Sequence, residues 1–346
     1  MKQFYVIILF FLSVTSIYCQ KPKKLFRSDS LLELTITLPL KEIIVKSKER
    51  TEYNSQLSYT EADGTVTNHL IKVKVRGKTR ANKQICTFPP LQLRFNKNDT
   101  ENSIFKGQKK VKLVAHCQSD KSFEDYVQIE YLVYKMYQHV SPYSFNVRLC
   151  RINYIDQNRP DQKNIHYGFL IESISDLAKR NDMKVFKGNI RNQEAVNKED
   201  LDKLIFFQFM IGNHDWSITE RHNMKLIKGD KGALPIAVPY DFDYSGIVNT
   251  PYAVPPEELY ISDVKTRLFR GFCRQNNYQN TIEYYNSIED DLFSEVNSLA
   301  TLRENGVNNV TKYLNSFFEN LKSEKYINKK IIKACKVNHK HAFEYD

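Results

Sequence analysis

The sequence predicts an α+β fold in which a strand-rich N-terminal half precedes a helical C-terminal half. Apolar and polar residues alternate in several short segments before residue 165, as they do in half-buried strands. After residue 200 the apolar residues follow helical spacing instead. No repeat and no linker rich in Pro, Gly or Ser divides the chain. We therefore predict one domain over residues 20–346, with an N-terminal lobe of about 20–165 and a C-terminal lobe of about 175–346.

The first half contains the predicted strands and one helix. Patterns of period two cover residues 32–36, 71–75, 91–95 and 111–113, and further strands are predicted over residues 146–154 and 165–172. Asp63-Gly64 marks a tight turn between two strands. A helix is predicted over residues 122–140, because a Ser122-to-Asp125 capping pattern precedes apolar positions at helical spacing.

A predicted loop with many polar side chains follows the first helix of the second half. That helix carries Leu204, Phe207 and Ile211 on one stripe, and residues 212–223 then read GNHDWSITERHN before a short predicted strand. Folding alone does not require such polar groups between two apolar elements. The pattern is typical of a catalytic loop. Helical patterns dominate again from residue 284 to the end.

A second polar motif follows thirteen residues later. Residues 236–243 read IAVPYDFD, which predicts a strand that ends in two carboxylates, Asp241 and Asp243. Side chains at alternate positions of an extended segment share a face, so both acids can point into one site.

The two motifs together fit phosphoryl transfer, which needs a carboxylate for the acceptor hydroxyl and oxygen ligands for a divalent metal. We predict that Asp215 orients or deprotonates the acceptor. Asn223 and Asp241 are predicted to ligate Mg²⁺ or Mn²⁺, and Asp243 to hold a second metal or orient the first ligands. Each of these residues alone would be interpreted as a turn former or a helix cap. His214 is predicted to support the loop, as is the histidine at position 222.

The order of these motifs resembles the CotH family, the spore-coat protein H kinases. Residues 72–80, KVKVRGKTR, resemble the Arg-Gly-x-Ser-Ser-Arg segment of that family, and residues 89–95 resemble the strand that follows it. Residues 167–180, YGFLIESISDLAKR, resemble its stretch beside the adenine pocket. The resemblance runs from about residue 72 to residue 245. It implies an atypical protein-kinase-like fold and an ATP-dependent kinase that phosphorylates a hydroxyl of an exported protein or glycan.

The resemblance also implies nucleotide-binding residues. Arg76 and Gly77 are predicted at the phosphates, since glycine allows close backbone approach. Glu130 is predicted to pair with the phosphate-binding cation. Glu172 is interpreted either as a contact to the nucleotide or as a helix cap.

At the positions expected to supply the phosphate-binding cation, this sequence departs from the family pattern. Related sequences carry basic residues where this chain has Pro89 and Pro90. Arg94, Lys112 and Lys74 are the candidates, because each lies opposite an apolar set on its predicted strand. The alternative for each is a charge on a solvated sheet face.

The N-terminus predicts export. Residues 1–19 resemble a signal peptide, with Lys2 before a short apolar core, and we predict cleavage after Cys19 and a secreted, periplasmic or extracellular protein. An uncleaved anchor is the alternative. No later segment is apolar enough to span a membrane. Up to two disulfides and one leftover thiol are expected among the other cysteines, with the pairing left open; buried free thiols are the alternative.

The net charge and the distribution of charged residues indicate which kinds of partner the protein could bind. The formal net charge is +11 and the pI is near 9.1, but the basic residues are interleaved with acids, which argues against a nucleic-acid site. A catalytically inactive CotH-like surface or binding module is the main alternative to a kinase. Nucleotidyl transfer by the same acids and a hydrolase using Asp241 and Asp243 are further alternatives. The sequence leaves the oligomeric state open.

Overall fold

The structure is a computed structural model that describes residues 21–343 except residues 62, 97 and 163. The predicted signal peptide, residues 1–19, lies outside the described residues. The strands are β1 (Leu32–Leu38), β2 (Tyr53–Thr60), β3 (Val66–Val75), β4 (Leu91–Phe95), β5 (Lys110–Val114), β6 (Val147–Asp156), β7 (Ile165–Ile171), β8 (Lys184–Val185), β9 (Met224–Lys228) and β10 (Ile236–Pro239). The helices are α1 (Leu40–Val45), α2 (Lys121–Val140), α3 (Ile174–Arg180), α4 (Lys198–Ile211), α5 (Gln279–Ser287), α6 (Glu289–Ser298), α7 (Glu304–Leu321), α8 (Glu324–Ile327) and α9 (Lys333–Phe343).

The strands of the first half close into a barrel with the order β1-β2-β3-β4-β5-β7-β6. Neighbouring strands are antiparallel except at the closure, where β1 runs parallel to β6 with Leu32 opposite Cys150 and Leu38 opposite Asp156. Alternate residues of each strand point inward, as period-two patterns require. The barrel interior is filled by buried apolar side chains that include Leu34, Ile36, Leu57, Val73, Leu93, Leu113, Ile152 and Leu170.

The predicted kinase-like fold with two lobes is wrong. The strand-rich half forms a closed barrel of mixed strand direction and not an open kinase-type lobe. The barrel also takes in β7, which lies past the predicted lobe boundary, and the second half contains a sheet of its own, in the order β10-β9-β8. The physical reason is the parallel pairing of β1 with β6, which satisfies both sheet edges and leaves no open side.

Helix α2 separates the barrel from the helices of the second half. The carboxylate of Asp120 caps it by accepting from the backbone N–H of Ser122 at 2.8 Å, so the helix begins before the predicted capping pattern. A second hydrophobic core joins α2 and the outer side of β6 and β7 to α4, α6 and α7. The barrel wall near α2 is therefore apolar on both faces.

Two disulfides bond Cys86 to Cys117 and Cys273 to Cys335, and Cys150 is a buried free thiol. The sequence predicted up to two disulfides and left their pairing open, and the structure assigns that pairing. Among the described residues, no helix combines the length and the apolarity that a membrane crossing needs.

Candidate functional site

Arg80 lies at the centre of three acidic side chains. Its Nη2 atom is 3.2 Å from Oδ1 of Asp241, its Nε atom is 3.2 Å from Oδ2 of Asp243, and its Nη1 atom is 3.5 Å from Oε2 of Glu130. Arg80, Glu130 and Asp243 are buried, whereas the side chain of Asp241 is 31% exposed. These four residues form what we call the acidic cluster, and Asp241 is its solvent-facing side.

Arg80 comes from the loop between β3 and β4, which is held at both ends. At its start the backbone N–H of Arg76 donates to the carbonyl of Pro90 at 3.0 Å. Near its end the disulfide from Cys86 to Cys117 joins the loop to the chain just after β5. A long irregular loop would otherwise be mobile, so these bonds position the guanidinium.

Asp241 adopts a left-handed backbone conformation with φ of 67°. Such a conformation is uncommon for a residue with a side chain and is found preferentially at functional sites. Its backbone N–H donates to the hydroxyl of Tyr134 at 2.8 Å, a buried side chain of α2. The helix that supplies Glu130 therefore also fixes the backbone of Asp241.

Burial and mutual repulsion govern the charges of the acidic cluster. Burial raises the pKa of Glu130 and of Asp243, and the guanidinium of Arg80 opposes both rises. Burial lowers the pKa of Arg80, but the carboxylates around it outweigh burial and raise that pKa, so Arg80 stays charged. The hydroxyl of Tyr252 also donates to Oδ2 of Asp243 at 3.0 Å. One guanidinium faces three carboxyl groups, so full ionisation of all three would leave the cluster with a net negative charge.

The acidic cluster fits a divalent cation. Ligand oxygens of Glu130, Asp241 and Asp243 lie within 4.8 Å of one another. Oε1 of Glu130 is buried without a hydrogen-bond partner, so it has a free coordination position. Carboxylate oxygens are the ligands that Mg²⁺ and Mn²⁺ prefer.

The predicted catalytic loop brings Asp215 together with Asn223. The side-chain amide of Asn223 donates to the carbonyl of Asp215 at 2.8 Å and to its Oδ2 at 2.9 Å. Nε2 of His222 lies 2.6 Å from Oδ1 of Asp215, so both carboxylate oxygens have a partner. Asn223 is in the left-handed conformation, with φ of 50°. The carboxylate is thus held in one orientation.

Backbone hydrogen bonds join this loop to the segment that follows β10. The N–H of Tyr240 donates to the carbonyl of Asn223, and the N–H of Gly246 donates to the carbonyl of Gly212, each at 3.0 Å. A Cβ atom on Gly246 would lie 2.5 Å from the carbonyl oxygen of Val264, so only glycine fits there. Asp215 and the acidic cluster therefore lie in one site. Burial raises the pKa of Asp243, and the charges of Asp241 and Asp215 raise it further.

Lysines lie around the aromatic ring beside Asp241. The ammonium groups of Lys112 and Lys225 lie 4.7 and 4.8 Å from the ring centre of Tyr240. Burial lowers the pKa of Lys112 to about 8, with Arg76 acting in the same direction and Asp241 against it. Lys112 and Arg76 are thus close enough to the cluster to influence its charges, but neither forms an ion pair with its acids, and their phosphate-binding role stays a prediction.

The remaining predicted nucleotide-binding residues have other partners. Arg94 pairs with Glu52 at 3.2 Å on the outer face of the barrel and lies outside the acidic cluster. Glu172 accepts hydrogen bonds from Asn146 at 3.1 Å and from Arg180 at 3.2 Å, so both of its carboxylate oxygens have partners within the protein. Gly77 has φ of 84°, which favours glycine.

Sequence reasoning did not identify Arg80 as the cation that pairs with Glu130. Arg80 is the last residue of the segment KVKVRGKTR, which carried the resemblance to the CotH family, so the motif did contain the signal. His214 bonds to the carbonyl of Thr266 at 2.7 Å and supports the loop. Trp216 is buried beneath the loop, with Arg270 stacked on its ring.

No family model, no curated protein and no solved structure matches the chain. The resemblance to the CotH family therefore stays a prediction, and the functional argument rests on the geometry of the site.

Proposed function

We propose that this protein is an exported phosphotransferase, which moves the terminal phosphoryl group of ATP to a hydroxyl of a protein or glycan with Mg²⁺ or Mn²⁺. The observation that carries the proposal is the convergence of Arg80 with Glu130, Asp241 and Asp243 beside a carboxylate held for proton transfer. A divalent cation bound there would neutralise charge on the phosphates. Two disulfides are compatible with export.

The residues divide the chemistry between them. Asp241 and Asp243 would hold the cation, with Glu130 as a further oxygen ligand or as the partner that orients Arg80. The planar guanidinium of Arg80 is suited to phosphate oxygens, which it can bind in a bidentate manner. Asp215, held by Asn223, would accept the proton of the acceptor hydroxyl.

A noncatalytic binding module is the second candidate, and one observation favours it. Arg80 already forms ion pairs with all three acids, so the guanidinium partly neutralises the cluster without any metal. A cation would then compete with Arg80 for the same oxygens. Such a module would use the cleft for recognition alone.

Incorporation of the terminal phosphate of labelled ATP separates the two candidates. We would incubate the purified protein with Mg²⁺ or Mn²⁺ and an extract of exported proteins and glycans, alongside Asp241→Asn. The matched control is Asp230→Asn, an exposed carboxylate outside the site. Metal-dependent labelling that Asp241→Asn abolishes and Asp230→Asn retains supports the phosphotransferase. Absence of labelling by a folded protein that still binds nucleotide would favour the binding module.

A further inference from the structure

The outer surface of the barrel carries a row of cationic side chains away from the acidic cluster. In the strand register, Lys72 of β3 lies opposite Arg94 of β4, and Arg94 lies opposite Lys110 of β5. Their strand neighbours, such as Val73 and Leu93, fill the barrel interior, so the three cationic residues face outward and are exposed. We call Lys72, Arg94 and Lys110 the cationic row.

The cationic row lines an open cavity of about 580 Å³. Lys109 is also exposed and adds a fourth cation to the lining of this cavity. Asp99 contributes an acidic side chain to the same lining. Arg94 is also paired with Glu52 at 3.2 Å. The lysines therefore leave this surface with an excess of positive charge that the neighbouring acids do not match.

Apolar side chains lie on the same outer surface. Leu70 and Val66 of β3 are 73% and 60% exposed, and Leu70 lines the same cavity. Because outward positions of a strand recur every two residues, β3 presents an apolar end and then Lys72 and Lys74 on one face. The strand ends at Val75, and Arg76 begins the loop that carries Arg80.

We propose that this surface of β3, β4 and β5 docks an acidic polypeptide segment that carries a large apolar residue next to its carboxylates. The cationic row supplies the charge complement, and the exposed Leu70 supplies the apolar contact. Docking here goes beyond the proposed function, because it needs neither nucleotide nor metal.

A nucleic acid fits the same surface less well. Proteins that bind single strands combine cations with aromatic side chains on which the bases stack. The outward positions of the described residues of β3, β4 and β5 are aliphatic, amide or cationic, with no aromatic side chain among them. The amphipathic character of the surface therefore favours a polypeptide.

The test measures binding of a fluorescent copolymer of glutamate and leucine by anisotropy. The full protein is compared with Lys72→Glu/Lys110→Glu, which reverses two charges of the cationic row. The matched control is Lys41→Glu/Lys325→Glu, which makes the same change of net charge at two exposed helix starts elsewhere. Circular dichroism verifies that each variant is folded, and stabilisation by ATP with Mn²⁺ is measured in parallel.

We expect binding that weakens about tenfold in Lys72→Glu/Lys110→Glu and by less than about twofold in the control, with strong salt dependence. Leu70→Ser is expected to weaken binding of this copolymer without affecting binding of polyglutamate. Nucleotide stabilisation should be the same in all three variants, so failure of docking and failure of the proposed function are distinguishable. Equal loss in both charge variants, no binding, or preferential displacement of the copolymer by oligo-dT or heparin of equal charge would overturn the proposal.

Discussion

Nη2 of Arg80 lies 3.2 Å from Oδ1 of Asp241, although 161 positions separate the two residues in the chain. Arg80 belongs to a loop of the barrel, and Asp241 follows β10 in the second half. Glu130, on the helix between them, is the third member of the same ion-pair network. The acidic cluster thus exists only when the barrel and the second half are assembled together.

Removing Arg80 is expected to destabilise the protein strongly. Arg80→Met would leave three carboxylates, two of them buried, without their cation, and we expect the free energy of unfolding to fall by about 3–5 kcal/mol. Arg80→Lys keeps the charge but not the planar fork, so its loss should be smaller. Urea unfolding measures both. Equal stability of Arg80→Met and the unchanged protein would show that the guanidinium does not stabilise the cluster.

The disulfide between Cys86 and Cys117 is expected to control the site as well as stability. Its loop spans 31 positions and the Cys273–Cys335 loop spans 62, so chain entropy assigns about 4 kcal/mol to each bond. Only the first bond anchors the loop of Arg80. We therefore expect Cys86→Ala/Cys117→Ala to lose stabilisation by ATP and Mn²⁺, measured by thermal unfolding.

The second disulfide provides the matched control for that experiment. Cys273→Ala/Cys335→Ala should lower the unfolding temperature by a similar amount while retaining the response to ATP and Mn²⁺. Loss of the response in both double variants would mean that general stability, and not the position of Arg80, governs it.

Asn223 allows a test that separates backbone conformation from side-chain chemistry. Asn223→Gly keeps the left-handed backbone and removes the amide that holds Asp215, so we expect near-native stability and about tenfold or greater loss of labelling. Asn223→Ala should lose the same activity and a further 1–2 kcal/mol or so of stability, because alanine is strained at positive φ. Full labelling by Asn223→Gly would contradict the role assigned to this amide.

The stability of the barrel is expected to depend on pH through His116. Its ring stacks on His166, with 3.6 Å between ring centres, and packs against Phe88. Burial lowers the pKa of His116 well below its usual 6.5. The unfolded chain therefore binds a proton near pH 6.5 that the folded chain does not, so stability is present above pH 6.5 and is lost as the pH falls.

Urea unfolding between pH 8 and pH 5 measures this contribution. Below pH 6.5 one such group removes about 1.4 kcal/mol of stability per pH unit. His116→Phe keeps an aromatic ring and cannot titrate, so its stability should fall less steeply with decreasing pH. Parallel curves for the two proteins would show that His116 does not carry the effect.

Alternation along the chain predicts the individual strands but not their partners. Period-two patterns identified β1, β3, β4 and β5, because each of these strands has one face in the barrel interior. The segments of β6 and β7 were predicted as further strands. The pattern of β2, Tyr53–Thr60, was missed because its residues are mostly polar and few are buried. Closure depends on Leu32 lying opposite Cys150, and no local pattern specifies a parallel partner so distant in the chain.

The candidate site was predicted in part for a similar reason. Asp215, Asn223, Asp241 and Asp243 lie within four residues of the ends of α4, β9 and β10, where a polar residue contrasts with its surroundings. The prediction that one extended strand carries both Asp241 and Asp243 is wrong, because β10 ends at Pro239 and Asp241 has a left-handed backbone. Arg80 lies in an irregular loop that has no period, and its partners become visible only in the assembled structure.

Isothermal titration of Mn²⁺ with ATP into the full protein tests the central claim most directly, with Asp241→Asn and Arg80→Lys titrated alongside. The account predicts one nucleotide site per chain that requires the metal, is lost in Asp241→Asn and is weakened in Arg80→Lys. Unchanged binding in both variants, or no binding by the folded protein, would contradict it.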